Sequence, residues 1–249
     1  MKSPADGCGY EKAAHLYDLF DQKANIEFFY HYASQADDVL DIGAGTGRIA
    51  LPLARRGIRV VCVEPSPAMR RELERKLGQQ PDLSASIDIV AGRAASFNIL
   101  RTFRVAILSG SFDHFLDDAE RLSSLLNIGR HLEKGGTLVF DVFLGLMQAS
   151  PLSPVGTVKT GTREYRRFVG GWVLPGGRKE THLVFEVYQH GRLAERIEER
   201  SLVGITSRQA IHQVLAEAGL DVRSEWSNYD FTPYREGDNL LIVEAVKRT

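Results

Sequence analysis

The chain has 249 residues, 25% of them charged and 43% hydrophobic, with a formal net charge of −1. That length suits one globular domain carrying an insertion, and the charge balance excludes a field that favours DNA, RNA or an anionic membrane. Met1 to Lys12 holds no apolar signal segment, no apolar run reaches spanning length, and Cys8 and Cys62 form neither a CxxC nor a metal-ligand pattern, so a soluble cytoplasmic protein is expected.

Met1 to Gly9 reads as a flexible leader. Tyr10 to Tyr32 is rich in aromatics, and its spacing predicts two short helices packed on top of the domain, with residues 1–36 as a helical cap. The organising stretch follows: Val39-Leu40-Asp41-Ile42-Gly43-Ala44-Gly45-Thr46-Gly47-Arg48. An apolar strand ends in an acid, three glycines follow at alternate positions, and a helix-like run, Ile49 to Arg56, stops at Gly57. Glycines permit backbone angles closed to other residues and leave room for a ligand against the main chain. The spacing is not the GxGxxG of nicotinamide enzymes, because Arg48 stands at the third glycine, and no GxxxxGK[ST] phosphate loop occurs.

A second strand, Ile58 to Val63, is closed by Glu64, 21 positions after Gly43. An acid there suits a pair of ribose hydroxyls, since its two oxygens accept together. Ser66 reads as a helix N-cap with Pro67 first inside, and Met69, Leu73 and Leu77 share a face. Ser86 to Ala91 is the third strand and leads into Gly92-Arg93-Ala94-Ala95. Phe103 to Leu108 is the fourth, followed by Ser109-Gly110-Ser111-Phe112-Asp113-His114-Phe115-Leu116. Asp117 or Asp118 caps the next helix, and Thr137 to Phe143 is the fifth strand, apolar but for Asp141.

Leu144 to Ser207 breaks the strand–helix alternation. Three strands are expected there, Thr162 to Val169, Glu180 to Gln189 and Arg192 to Gly204, separated by turns at Gly170-Gly171, Gly176-Gly177 and His190-Gly191. Gln148 to Gly156, with Pro151 and Pro154, reads as a movable linker. Residues 148–204 thus form a β-lid that binds substrate, inserted in a core of 37–147 and 205–249. A helix capped by Ser207, a sixth strand from Leu220 to Ser227, an aromatic loop around Tyr229 and a seventh strand from Asn239 to Lys247 complete the chain.

VLDIGAGTGR resembles the first motif of the class I S-adenosylmethionine (SAM) dependent methyltransferases. Tyr17-Asp18-Leu19-Phe20 is similar to the cofactor-covering leader of their small-molecule branch, and His131 to Phe143 to that branch's HLxxGGxLxFDVF stretch. The resemblance implies an α/β fold: a Rossmann-like, doubly wound, seven-stranded sheet in the order 3-2-1-4-5-7-6, with strand 7 antiparallel and the lid after strand 5. It implies SAM as cofactor. Tyr17, Asp41, Gly43, Ala44, Gly45, Gly47, Arg48, Glu64, Pro65, Met69, Arg93, Ala94 and Ser109 are the cofactor-binding candidates. Arg93 departs from the family, where an acid accepts from the adenine amino group. An arginine has no acceptor, so a backbone carbonyl takes that bond or the guanidinium stacks on the ring.

The carboxyl end of the fourth strand faces the transferred methyl in that family. His114 is the candidate base or acceptor-orienting group, with packing beneath the lid as the other reading, and Asp113 is second. Asp141, Arg166 and Tyr229 are the substrate-binding candidates, and no metal is called for. The expected reaction is in-line methyl transfer to a small molecule, nitrogen before oxygen, because leader, glycine loop and lid resemble amino-sugar and glycine N-methyltransferases. A SAM-binding protein without transferase activity and a nicotinamide oxidoreductase are the competing readings. A homodimer is open, and neither nucleic acid nor membrane is an expected partner.

Overall fold

The computed structural model describes residues 10–20 and 25–249. The flexible leader expected over 1–9, with Cys8, lies outside them. Seven strands form the main sheet: β1 (Asp38–Ile42), β2 (Arg59–Glu64), β3 (Ile87–Ala91), β4 (Phe103–Leu108), β5 (Leu132–Phe143), β10 (Leu220–Trp226) and β11 (Leu240–Lys247). Their order is β10-β11-β5-β4-β1-β2-β3. Strands β1 to β5 pair in parallel, and β11 runs antiparallel between β5 and β10. This is the expected order 3-2-1-4-5-7-6.

Period-two alternation drives two apolar faces into two layers. Leu40, Ile42, Val61, Val63 and Leu108 face one side with Leu125 and Ile128 of α4 (Asp118–Arg130) and Ile211 and Leu215 of α5 (Arg208–Glu217). Val39, Val60, Cys62, Val105 and Ile107 face the other, under α1 (Ile26–Ala33), α2 (Ala50–Ala54) and α3 (Pro67–Gly78). The helix starts follow local chemistry. Ser66, Asp117 and Ser207 each accept from the backbone N–H three residues on.

The inserted segment is a second sheet of four strands, not three. It is a meander of β6 (Ser150–Thr160), β7 (Arg163–Leu174), β8 (Arg178–Gln189) and β9 (Arg192–Gly204). The stretch expected as a linker is therefore largely β6. Pro151 and Pro154 fit because β6 is an edge strand whose register shifts between Ser150 and Ser153 and between Pro154 and Gly156. Gly170 and Gly171 lie inside β7 rather than in a turn. A Cβ there would come within 2.8 Å of the Leu152 backbone and 2.6 Å of the Glu180 carbonyl, so close strand approach, not chain reversal, requires glycine.

The leader lies between the two sheets. Ala14–Phe20 is a 3₁₀ helix rather than an α-helix, and Ala13 and Leu16 pack with Leu183, Phe185, Val187 and Ile197 of the second sheet. Glu199 of β9 accepts from the backbone N–H groups of Lys12 and Ala13. On the core side, Asp18 accepts from Thr46 Oγ1 at 2.7 Å and pairs with Lys76, which also donates to the Thr46 carbonyl at 2.9 Å. Among the described residues no helix is long and apolar enough to cross a membrane.

Candidate cofactor and methyl-acceptor site

A cavity of about 290 Å³ opens above the carboxyl ends of β1 to β4. Its lining includes Tyr17, Asp41, Gly43, Ala44, Gly45, Arg48, Glu64, Pro65, Met69, Arg93, Ala94, Ser109 and His114. Of the expected cofactor set, only Gly47 stays outside the lining.

The three glycines divide the work of the turn. All three have positive φ: Gly43 at 70°, Gly45 at 58° and Gly47 at 83°. A Cβ on Gly43 would strike Ser111 Oγ at 2.3 Å, so this glycine lets the turn after β4 lie against the turn after β1. A Cβ on Gly47 would strike Leu73 Cδ1 at 2.4 Å, so this one seats α3 on the sheet. A Cβ on Gly45 would meet only the Gly43 carbonyl, at 3.9 Å, leaving that side of the turn open to a ligand.

Glu64 closes β2 and is 5% exposed. Its Oε2 accepts from Gly45 N and its Oε1 from Ser66 N, both at 2.8 Å. Burial raises its pKa against those two bonds. Each oxygen keeps a second lone pair, so the fixed carboxyl can still accept from a vicinal diol. Asp41 lies deeper. Its Oδ2 is buried with no hydrogen-bond partner among the described residues, and burial pushes its pKa up to about 7 despite the nearby Arg48. Asp41 lines the cavity, and an unpartnered carboxyl oxygen suits a cationic or N–H-bearing ligand group. Ammonium, diol and an opening beside the turn are what the methionine and ribose ends of SAM require, so these residues fit that molecule.

Beneath the cavity runs a buried polar network. Arg48 donates to Asn25 Oδ1 at 2.7 Å and to Ser109 Oγ at 2.8 Å, and Ser109 donates to Asp141 Oδ2 at 3.2 Å. Gly110 N and Tyr229 OH also donate to Asp141, the latter at 2.8 Å. Asp141 and Tyr229 therefore brace the floor and do not line the cavity; Tyr229 packs on Phe28 and Phe29. Arg166 lies outside it too. It pairs at 2.6 Å with Glu164, two residues away on the same face of β7, and stacks at 4.3 Å over the ring of Tyr188 on the neighbouring β8.

His114 and Asp113 sit on a 3₁₀ turn, Phe112–His114. The His114 ring bonds the Leu202 main chain of β9, and burial holds its pKa below the usual value. Asp113 points away from the cavity: Oδ2 accepts from Phe143 N at 3.3 Å and Oδ1 is buried without a partner among the described residues. Burial pushes its pKa up to about 7, with the Asp141 charge adding to it. Arg93 reaches across the mouth to Glu120 Oε1 at 3.3 Å.

Tyr10, Glu120, Ser124 and Leu202 line the cavity without having been expected there. Tyr10 sits edge-on to Tyr17, 4.8 Å between ring centroids, and an aromatic pair in the leader was a signal open to reading. Ser124 and Leu202 carry none, since only the packing of α4 and of the second sheet brings them in.

Residues 39–136 match a family model described as a methyltransferase domain. An uncharacterized methyltransferase of Bacillus thuringiensis is 30% identical over 142 residues, spanning 53% of this chain and 64% of that relative's length. A SAM-dependent methyltransferase from Clostridium acetobutylicum superposes with a TM-score of 0.79 at 19% identity, over 96% of this chain and 99% of that one. A sugar N-methyltransferase from a Streptoalloteichus species gives 0.74 at 22% identity, over 94% and 93%. Residues 39–136 thus match a methyltransferase-domain model, and the chain shares its fold with solved SAM-dependent methyltransferases.

Proposed function

We propose that the protein transfers a methyl group from SAM to a nitrogen of a small-molecule acceptor. The observation that carries the reading is the juxtaposition, in one cavity, of the open face of Gly45, the fixed Glu64 carboxyl, the orphan Asp41 oxygen and the His114 ring. Asp41 takes the ammonium of the methionine end, Glu64 the ribose hydroxyls, and Pro65 and Met69 the adenine side. When bound, SAM supplies an electrophilic methyl on a sulfonium whose charge vanishes in the displacement.

The chain then positions, desolvates and removes a proton. Positioning two reactants in line is worth roughly 7–11 kcal/mol of barrier. Tyr10 and Tyr17 of the leader and Leu202 of the second sheet close the cavity against water. A neutral imidazole whose N–H is held by the Leu202 main chain keeps a lone pair on its other nitrogen. Its lowered pKa leaves it unprotonated near pH 7, ready to accept the proton an amine must lose. The choice of nitrogen draws on fold likeness to a sugar N-methyltransferase, which is analogy from the fold.

The test is incubation with methyl-labelled SAM and a panel of amino sugars, small amines and their hydroxyl counterparts, read by mass spectrometry. Methylated amines with equimolar S-adenosylhomocysteine are the expected products. Label on hydroxyl acceptors alone would overturn the choice of nitrogen.

A further inference from the structure

We propose that Ser124, on α4, hydrogen-bonds the amino edge of the adenine and so replaces the acid that Arg93 displaces. The assignment rests on reading the cavity as a SAM site. It starts from a chemical mismatch: an adenine amino group is a donor, and the guanidinium of Arg93 has only donors to offer it. Arg93 is instead drawn to Glu120, one turn of α4 before Ser124.

The helix supplies the geometry. Positions i, i+4 and i+7 share one face, and here that face meets the loop after β3. Glu120 pairs with Arg93. Asn127 donates to the Ala94 and Phe97 carbonyls at 2.9 and 3.0 Å. Ser124 falls between these two contacts and lines the cavity together with Gly92, Arg93 and Ala94.

Ser124 is also chemically unfinished. A serine within a helix ordinarily bonds back to the preceding turn, as Ser123 does to the Glu120 carbonyl at 3.0 Å. Ser124 is 1% exposed, and its Oγ has no partner among the described residues. Buried hydroxyls are rarely left so. Its oxygen can accept from the adenine amino group.

The experiment titrates wild-type protein and Ser124→Ala with S-adenosylhomocysteine and with its analogue bearing hydrogen in place of the adenine amino group. Ser124→Ala is expected to weaken the parent ligand by about three- to tenfold and the analogue by less than about twofold. Melting of the ligand-free variant adds a second readout: removal of an unpartnered hydroxyl leaves the midpoint unchanged or raises it, whereas loss of a structural serine lowers it. Equal loss for both ligands, no loss for either, or a lowered ligand-free midpoint would overturn the assignment. Wild-type protein that binds neither ligand would overturn the cofactor reading, and this assignment with it.

Discussion

At the scale of single residues, the site is made of carboxyl groups that burial holds at unusual protonation and that backbone N–H groups hold in place. Glu64 illustrates the second point. Glu64→Gln keeps the shape but leaves one of the Gly45 and Ser66 N–H bonds without an oxygen, and turns the remaining acceptor capacity toward the protein. Calorimetry should find SAM affinity reduced by on the order of 1–3 kcal/mol with the fold retained. Asp113, which points away from the cavity, shows the first effect next to the site. Its folded pKa of about 7 lies above the ordinary 3.8. The folded protein therefore keeps a proton that the unfolded chain releases across that window, so this group's contribution to stability falls as pH rises through it and is flat above. Asp113→Asn removes the dependence. Its gain in melting temperature over wild type should be larger at pH 8 than at pH 5, and an equal shift at both pH values would refute the account. His114 has the opposite sign in activity: its depressed pKa keeps the base form available at neutral pH. Turnover should be flat at neutral pH and fall only once the pH drops below the ordinary imidazole range, and His114→Ala should cost about 10²-fold at the plateau if the ring takes the proton.

At the scale of elements, the glycine turn and the clip between leader and second sheet set what can be changed independently. Gly47→Ala drives a methyl into Leu73 at positive φ and should destabilise the fold by about 2 kcal/mol or more. Gly45→Ala meets no wall, so it should melt closer to wild type while losing cofactor. Thermal melts of both variants, paired with SAM titrations, separate the two roles. This division was only half legible in the sequence. Alternate glycines after an apolar strand announce a turn needing positive φ, but which one faces Leu73 depends on a helix some twenty residues on. The same holds for Asp141 and Tyr229. An acid ending a strand and an aromatic loop read as substrate contacts; long-range packing sets Ser109 and Tyr229 on Asp141, and neither Asp141 nor Tyr229 is in the cavity lining. The strands themselves were readable because period-two apolar runs and caps are local signals, whereas their order came from the resemblance to the methyltransferases. β6 was not, because its prolines argue against a strand unless the strand is known to lie at an edge.

At the scale of the whole molecule, the leader couples the two sheets. Tyr10 and Tyr17 wall the cofactor cavity, while their neighbours hang from Glu199 and pack on Phe185. The lid was expected to bind substrate; its contacts with the leader predict that it supports cofactor binding as well. Glu199→Ala leaves two leader N–H groups without an acceptor and should weaken SAM binding by about 1 kcal/mol or more, although Glu199 itself lies outside the cavity lining. Unchanged affinity in Glu199→Ala would show that the leader is held by the core side alone, through Asp18 and Lys76. The central claim, that this cavity is built for SAM, is tested most directly by calorimetric titration of the purified protein with S-adenosylhomocysteine and, separately, with NAD. One-to-one binding of S-adenosylhomocysteine, absent in Gly45→Val, with no heat from NAD, is the result the structure predicts. Binding that persists undiminished in a folded Gly45→Val protein, or NAD bound in its place, would contradict it.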